Sequence, residues 1–260
     1  MDVHTLLRNV ALAVGLAAAA VGPAVVDVVP ASASGPTLTG AGSTWVQIAL
    51  DQWRADVAKQ GLTINYSGVG SSTGRRFYII NQVDLAASEI PFQPDEVAQL
   101  NAEHKSWQYL PDVAGGTSFM YNLHNPDGSR KTDLQLSSKS LVGIFTGAVT
   151  NWNDPSITSD NGGHALPDQP IKPVVRADGS GTSAQFSLYL AAVQASAWNA
   201  FAQQWGISAP ASYWPIFPGA IGQTGSDGVA NFIANDSVGR APSATSSMAT
   251  QRSGASPRRR

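Results

Sequence analysis

Residues Arg176-Ala177-Asp178-Gly179-Ser180-Gly181-Thr182-Ser183 bring a guanidinium, a carboxylate, three hydroxyls and two glycines into eight consecutive positions. A strand-like run, Ile171 to Val175, feeds into them. Phe186, Tyr189, Leu190 and Val193 follow at helical spacing. A glycine-rich turn that opens a helix exposes backbone N–H groups, and the helix start carries partial positive charge. Together with the hydroxyls of Ser180, Thr182 and Ser183 and the cation of Arg176, this is chemistry for holding an oxyanion.

Three more segments share that design. Gly40-Ala41-Gly42-Ser43-Thr44 precedes Trp45, Ile48, Trp53 and Val57 at helical spacing. Gly68-Val69-Gly70-Ser71-Ser72 follows the strand-like Leu62 to Tyr66, and Gly225-Ser226-Asp227-Gly228 precedes Val229, Phe232 and Ile233. Taken singly, each reads as a plain capped helix start. Their repetition points to helix N-termini converging on one ligand. Between them lie a short strand at Val83 to Ala87 and a helix near Pro94 to Leu100. An extended segment at Val113 to Leu123 and a helix at Ser138 to Phe145 come next. Such alternation predicts an α/β fold with a largely parallel or mixed sheet, and ligands at the carboxyl ends of its strands.

The two ends differ from the middle. Arg8, the apolar run from Val10 to Val29 and the small-residue site Ala31-Ser32-Ala33 predict a signal peptide over 1–33, leaving Ser34 as the mature N-terminus. A membrane anchor is the alternative, but Pro23, Asp27 and Pro30 interrupt the run. The segment 240–260 lacks aromatic residues, Leu, Ile and Val and ends in three arginines. It is expected to be disordered, with a basic interaction tail as the alternative. The leader holds Asp2, Arg8 and Asp27, and the tail holds Arg240, Arg252, Arg258, Arg259 and Arg260 without an acid. Residues 34–239 therefore carry 10 basic and 16 acidic groups, a net charge of −6. That balance argues against a nucleic-acid partner. The absence of cysteine excludes disulfides, thiolate metal sites and lipid attachment at a cysteine. His4, His104, His124 and His164 show no metal spacing.

The ordered series Leu38 to Trp45, Asn65 to Ser72, Val83 to Pro91, Thr150 to Asp154, Arg176 to Ser183 and Gly225 to Val229 resembles the phosphate-binding proteins of bacterial Pst-type phosphate ABC transporters. The resemblance covers about 38–239. It implies a periplasmic-binding-protein-like α/β fold (type II), with lobe I beginning at 34–118, lobe II at 119–239, and a hinge. It also implies an extracytoplasmic monomer that captures inorganic phosphate for a membrane permease, with neither catalysis nor a cofactor. Position by position, the implied phosphate contacts are Thr44, Trp45, Ser71, Glu89, Arg176, Ser180, Gly181 and Thr182, with Asp178 orienting Arg176. A carboxylate beside a bound anion makes sense where it accepts the proton of a protonated oxyanion. Sulfate, fully ionised, leaves two acceptors facing each other.

Departures from the family pattern accompany the match. Glu89 stands where Asp is usual, so its carboxylate reaches one methylene further, and Trp45 stands where Phe is common. Family members continue through a stretch like Gly-Ala-Ile-Gly-Tyr-Val-Glu-Tyr that rebuilds the first lobe. One choice of codons for Arg240 to Thr250, read two bases along, yields that stretch, so a frameshift near Val238 to Arg240 is expected. The first lobe is then incomplete at its C-terminal part, and poor stability and weak or absent binding are expected. Two other functions fit parts of the chain. One is a secreted domain of this fold without a transport role. The other is a serine hydrolase, because Gly70-Ser71-Ser72-Thr73-Gly74 matches the nucleophile elbow, with Ser72 followed by Asp154 and His164.

Overall fold

The computed structural model describes residues 35–235 and the backbone of the strand at 244–250. The expected signal peptide over 1–33 lies outside the described residues. A first group of elements comprises β1 (Thr37–Gly42), α1 (Gln47–Ala58), β2 (Thr63–Gly68), α2 (Ser71–Ile79), β3 (Leu85–Ala87) and α3 (Pro94–Ala102). The chain continues through β4 (Thr117–Tyr121), α4 (Ser138–Thr146), α5 (Pro155–Asp160), β5 (Ile171–Arg176), α6 (Gly181–Val193), α7 (Ala195–Trp205), β6 (Ile221–Gln223), α8 (Gly225–Asn235) and β7 (Ala244–Thr250). They form two sheets. One is parallel with order β2-β1-β3, and the other is mixed with order β4-β7-β5-β6.

The expected disorder of the tail is corrected over Ala244–Thr250. This stretch is β7, which runs antiparallel to β4 and parallel to β5. The disorder argument counted apolar side chains. A strand between two neighbours instead satisfies its backbone N–H and C=O groups along both edges, and composition does not register that. Residues 240–243 and 251–260 lie outside the described residues.

Strand periodicity explains how the second sheet packs. Ile171 and Val175 of β5 join the main apolar core, while Val174 belongs to a smaller cluster with Val229 and Ile233 of α8. Successive side chains point to opposite faces, so Arg176 shares the face of Val174, toward α8. The main core is aromatic. Phe145 meets Phe186 at a centroid distance of 5.1 Å, and Phe186 and Trp198 each lie 5.5 Å from Trp214. Burying such rings contributes about 0.5–1.5 kcal/mol per pair beyond their area.

The first sheet is held more sparely. The expected apolar face of α1 stays open: no residue of the helix is buried, and Ile48 is 64% exposed. The buried Val46 and the bond from Arg54 Nε to the Ile64 carbonyl (2.7 Å) pin the helix instead. By contrast, α2 lies tightly on β1, because a Cβ at Gly74 would overlap the backbone of Gly42 and Ala41.

Candidate functional site

Each of the four glycine-rich segments sits at the junction of a strand and the helix after it, spanning β1/α1, β2/α2 and β5/α6 and forming the first turn of α8 just after β6. The start of α6 is capped by Ser180, whose Oγ accepts the Ser183 N–H at 3.1 Å. Ser71 opens α2, and its Oγ accepts the Gly181 N–H at 3.2 Å, which joins the N-termini of α2 and α6. The Ser72 N–H donates to the Gly179 carbonyl at 3.1 Å and closes the same seam. Ser71, Ser180, Thr182 and Ser183 are all buried.

Arg176 is 5% exposed at the end of β5. Its Nε donates to Asp178 Oδ1 at 2.6 Å, and its Nη2 bonds Asp178 Oδ2. A buried guanidinium without such a partner is costly, so the carboxylate both neutralises and aims it. The remaining edge points across the seam, with Nη1 donating to Thr44 Oγ1 at 3.3 Å. Asp178 also accepts the Gly225 N–H at the start of α8 (3.0 Å). Burial opposes its ionisation, but the bonds and charge of Arg176 and the Gly225 N–H outweigh that and hold its pKa below the usual aspartate range.

Glu89 follows β3 and lies across the seam from α6. Its Oε1 accepts Ser43 Oγ at 2.7 Å and Thr182 Oγ1 at 3.3 Å, and its Oε2 is bonded by Ser71 Oγ. Gln185 Nε2 holds its main-chain carbonyl at 2.7 Å. Burial, then the charge of Glu89, raises the pKa of the Tyr66 hydroxyl, which donates to the Ser43 carbonyl at 2.8 Å. The indole of Trp45 is turned toward Gly115, although its backbone N–H donates to Ser43 Oγ at 3.0 Å. A cleft of about 1100 Å³ opens beside Glu89, lined by Ser43, Trp45, Thr182, Phe92, Trp107 and Tyr109.

Thr44, Ser71, Glu89, Arg176, Gly181 and Thr182 are thus joined by direct bonds across the seam, with Ser180 as the α6 cap and Trp45 displaced to its rim. Two participants were not singled out from sequence. Ser43 bonds Glu89, and Ser226 bonds Thr44 Oγ1 through its own Oγ (2.8 Å) and its N–H (3.2 Å). Both sit in the glycine-rich loops, so loop membership was the available signal. The hydrolase constellation is not assembled: Asp154 caps α5, accepting the Ser156 N–H and Oγ at 2.8 and 2.6 Å. Among the described residues no group of three or more His, Cys, Asp and Glu side chains converges as a metal site.

Comparison with known proteins accords with this architecture. The PBP superfamily domain matches residues 28–256. A phosphate-binding protein PstS of Xylella fastidiosa is 34% identical over 197 residues, covering 75% of this chain and 50% of that protein. The PstS of Pasteurella multocida is 35% identical over 198 residues, covering 76% and 53%. The chain spans about half the length of these curated relatives. Among solved structures, a human phosphate binding apolipoprotein shares the fold, with a TM-score of 0.58 and 23% identity over 80% of this chain and 56% of that one. Match and architecture agree: the chain belongs to the PBP superfamily.

Proposed function

We propose that this chain is an extracytoplasmic solute-binding protein that captures inorganic phosphate for an ABC importer. The observation that carries the reading is the convergence of the N-termini of α2, α6 and α8 around the buried Arg176. Helix N-termini and one oriented guanidinium supply fixed positive potential without a net positive chain, which suits a small, multiply charged oxyanion. Two relatives, at 34 and 35% identity, are phosphate-binding proteins, which supports the same anion.

In this reading Thr44, Trp45, Ser71, Glu89, Arg176, Ser180, Gly181 and Thr182 line the phosphate seat, and Asp178 aims Arg176. Residues 34–118 and 119–239 act as two lobes that close on the ligand as a monomer. A membrane permease receives it outside the cytoplasm. The role is binding without chemistry.

Calorimetric titration with inorganic phosphate tests the proposal. Saturable one-to-one binding is expected, weakened roughly 100-fold in Arg176→Met, which keeps the length of the side chain and removes its charge-assisted bonds. A folded wild-type chain that takes up no phosphate sinks the reading.

A further inference from the structure

We infer that the cleft beside Glu89 is the docking groove of the chain's own basic segment, Gln251 to Arg260. The inference stands apart from the phosphate reading, because its occupant is a peptide and its contacts lie on the outer wall of the cleft.

Strand direction shows where the segment begins. β7 runs antiparallel to β4, and Thr250 at its end lies opposite Thr117 at the start of β4. The chain therefore leaves β7 in the direction from which residues 112–116 arrive. Asp112, Val113, Gly115 and Thr117 all line the cleft, so the segment after Thr250 starts at its mouth. Ten residues follow Thr250. An extended chain of that length spans up to about 35 Å. The cleft, at about 1100 Å³, is far larger than a small oxyanion needs and has room for a stretch of peptide.

The chemistry of the wall matches that occupant. The segment carries Arg252, Arg258, Arg259 and Arg260 and no acid. The cleft presents the carboxylates of Asp84, Glu89 and Asp112. Among the described residues that line it, the one cation is Arg75, which Glu96 neutralises at 2.8 Å. Phe92 gathers Tyr78, Trp107 and Tyr109 around it at centroid distances of 5.8, 6.0 and 6.1 Å. Guanidinium groups stack on such rings while their edges meet a carboxylate. The backbone has a counterpart as well. Among the described residues β3 is an edge strand of the first sheet and lines the same cleft, so its free edge offers partners to an incoming extended chain.

Disulfide trapping tests the inference, because the chain has no cysteine of its own. Ser256→Cys places one thiol in the segment, and Gln108→Cys places the other on the exposed wall of the cleft. The whole chain carrying both substitutions, verified as folded by circular dichroism, is oxidised mildly at low salt and its products are separated without reductant. A cross-link within one chain is expected. It should form roughly tenfold faster than in the same chain with Arg252→Gln, Arg258→Gln, Arg259→Gln and Arg260→Gln combined, because charge supplies the attraction. Asp112→Asn should slow it in the same direction. Equal rates with and without the four arginines overturn the inference, and so does a cross-link formed mainly between two chains. Where Gln108→Cys prevents folding, Ala114→Cys on the same wall decides by the same criteria. Phosphate uptake is read in none of these arms, so failure here leaves the functional reading standing.

Discussion

Asp178 shows how one side chain couples fold and site. It accepts two bonds from the buried Arg176 and one from the start of α8, so its removal strands a guanidinium in the interior. Breaking a buried pair from one side costs about 3 kcal/mol. Asp178→Ala is therefore expected to lower the midpoint of urea unfolding and to weaken phosphate binding through a mis-aimed Arg176. The pH dependence has a definite sign. The folded pKa of Asp178 lies below the ordinary aspartate value, so its stabilising contribution is complete above about pH 4. It is lost as pH falls through the lowered folded value, because the unfolded chain takes up the proton first. Wild type should lose stability across that acid window more steeply than Asp178→Ala. Parallel acid limbs in the two proteins contradict the assignment.

At the level of elements, placing the seat depends on how closely α2 approaches β1. Gly74 permits the contact, since any side chain there overlaps Gly42 and Ala41 backbone. Ser71 lies one turn earlier and carries the link to Gly181 and Glu89. Gly74→Ala should force α2 outward at a cost of about 1–3 kcal/mol, as overpacked contacts do. It should also weaken phosphate binding, because Ser71 moves with its helix. Chemical denaturation and titration of the same sample check both halves. Unchanged stability would mean that the helix has room to spare. The strands and helices around this contact were largely legible beforehand. Runs such as Leu62 to Tyr66, with Gly68 two residues on, and Ile171 to Val175, with Gly179 four residues on, carry both the period and the turn signal. The helix α1 was legible as a helix but not as an exposed one, because helical spacing of Ile48 and Trp53 says nothing about what lies opposite them.

Across the whole molecule, hydrogen bonds of Thr44, Ser71, Ser72 and Glu89 link the loops of the first sheet to those of the second. Those between Thr44 and both Arg176 and Ser226 are the polar clasp opposite Glu89. Thr44→Val keeps the shape of the side chain and deletes the clasp. It should weaken phosphate binding roughly tenfold and cost the free chain about 1–3 kcal/mol, since the buried Arg176 Nη1 and the Ser226 N–H lose their acceptor. Phosphate at about 100 times its Kd should stabilise the wild type by about 2.7 kcal/mol, measured as a rise in thermal midpoint. Sulfate at the same concentration serves as the control for ionic strength. Equal midpoints with and without phosphate would argue against ligand uptake by the folded state.

The sequence by itself determined the α/β alternation, the four glycine-rich helix starts and the oxyanion chemistry of Arg176 to Ser183. These are local properties, written in period, turn residues and side-chain type. Only the tertiary structure decided which of those groups meet. It joined Ser71 to Gly181 and Thr44 to Ser226, turned Trp45 toward Gly115, and placed the Ala244–Thr250 strand between β4 and β5. It also set three hydroxyls on Glu89. Residues 43, 71 and 182 are distant along the chain, and hydrogen bonds between distant residues leave no periodic trace in it. Which partner a hydroxyl faces is settled by packing.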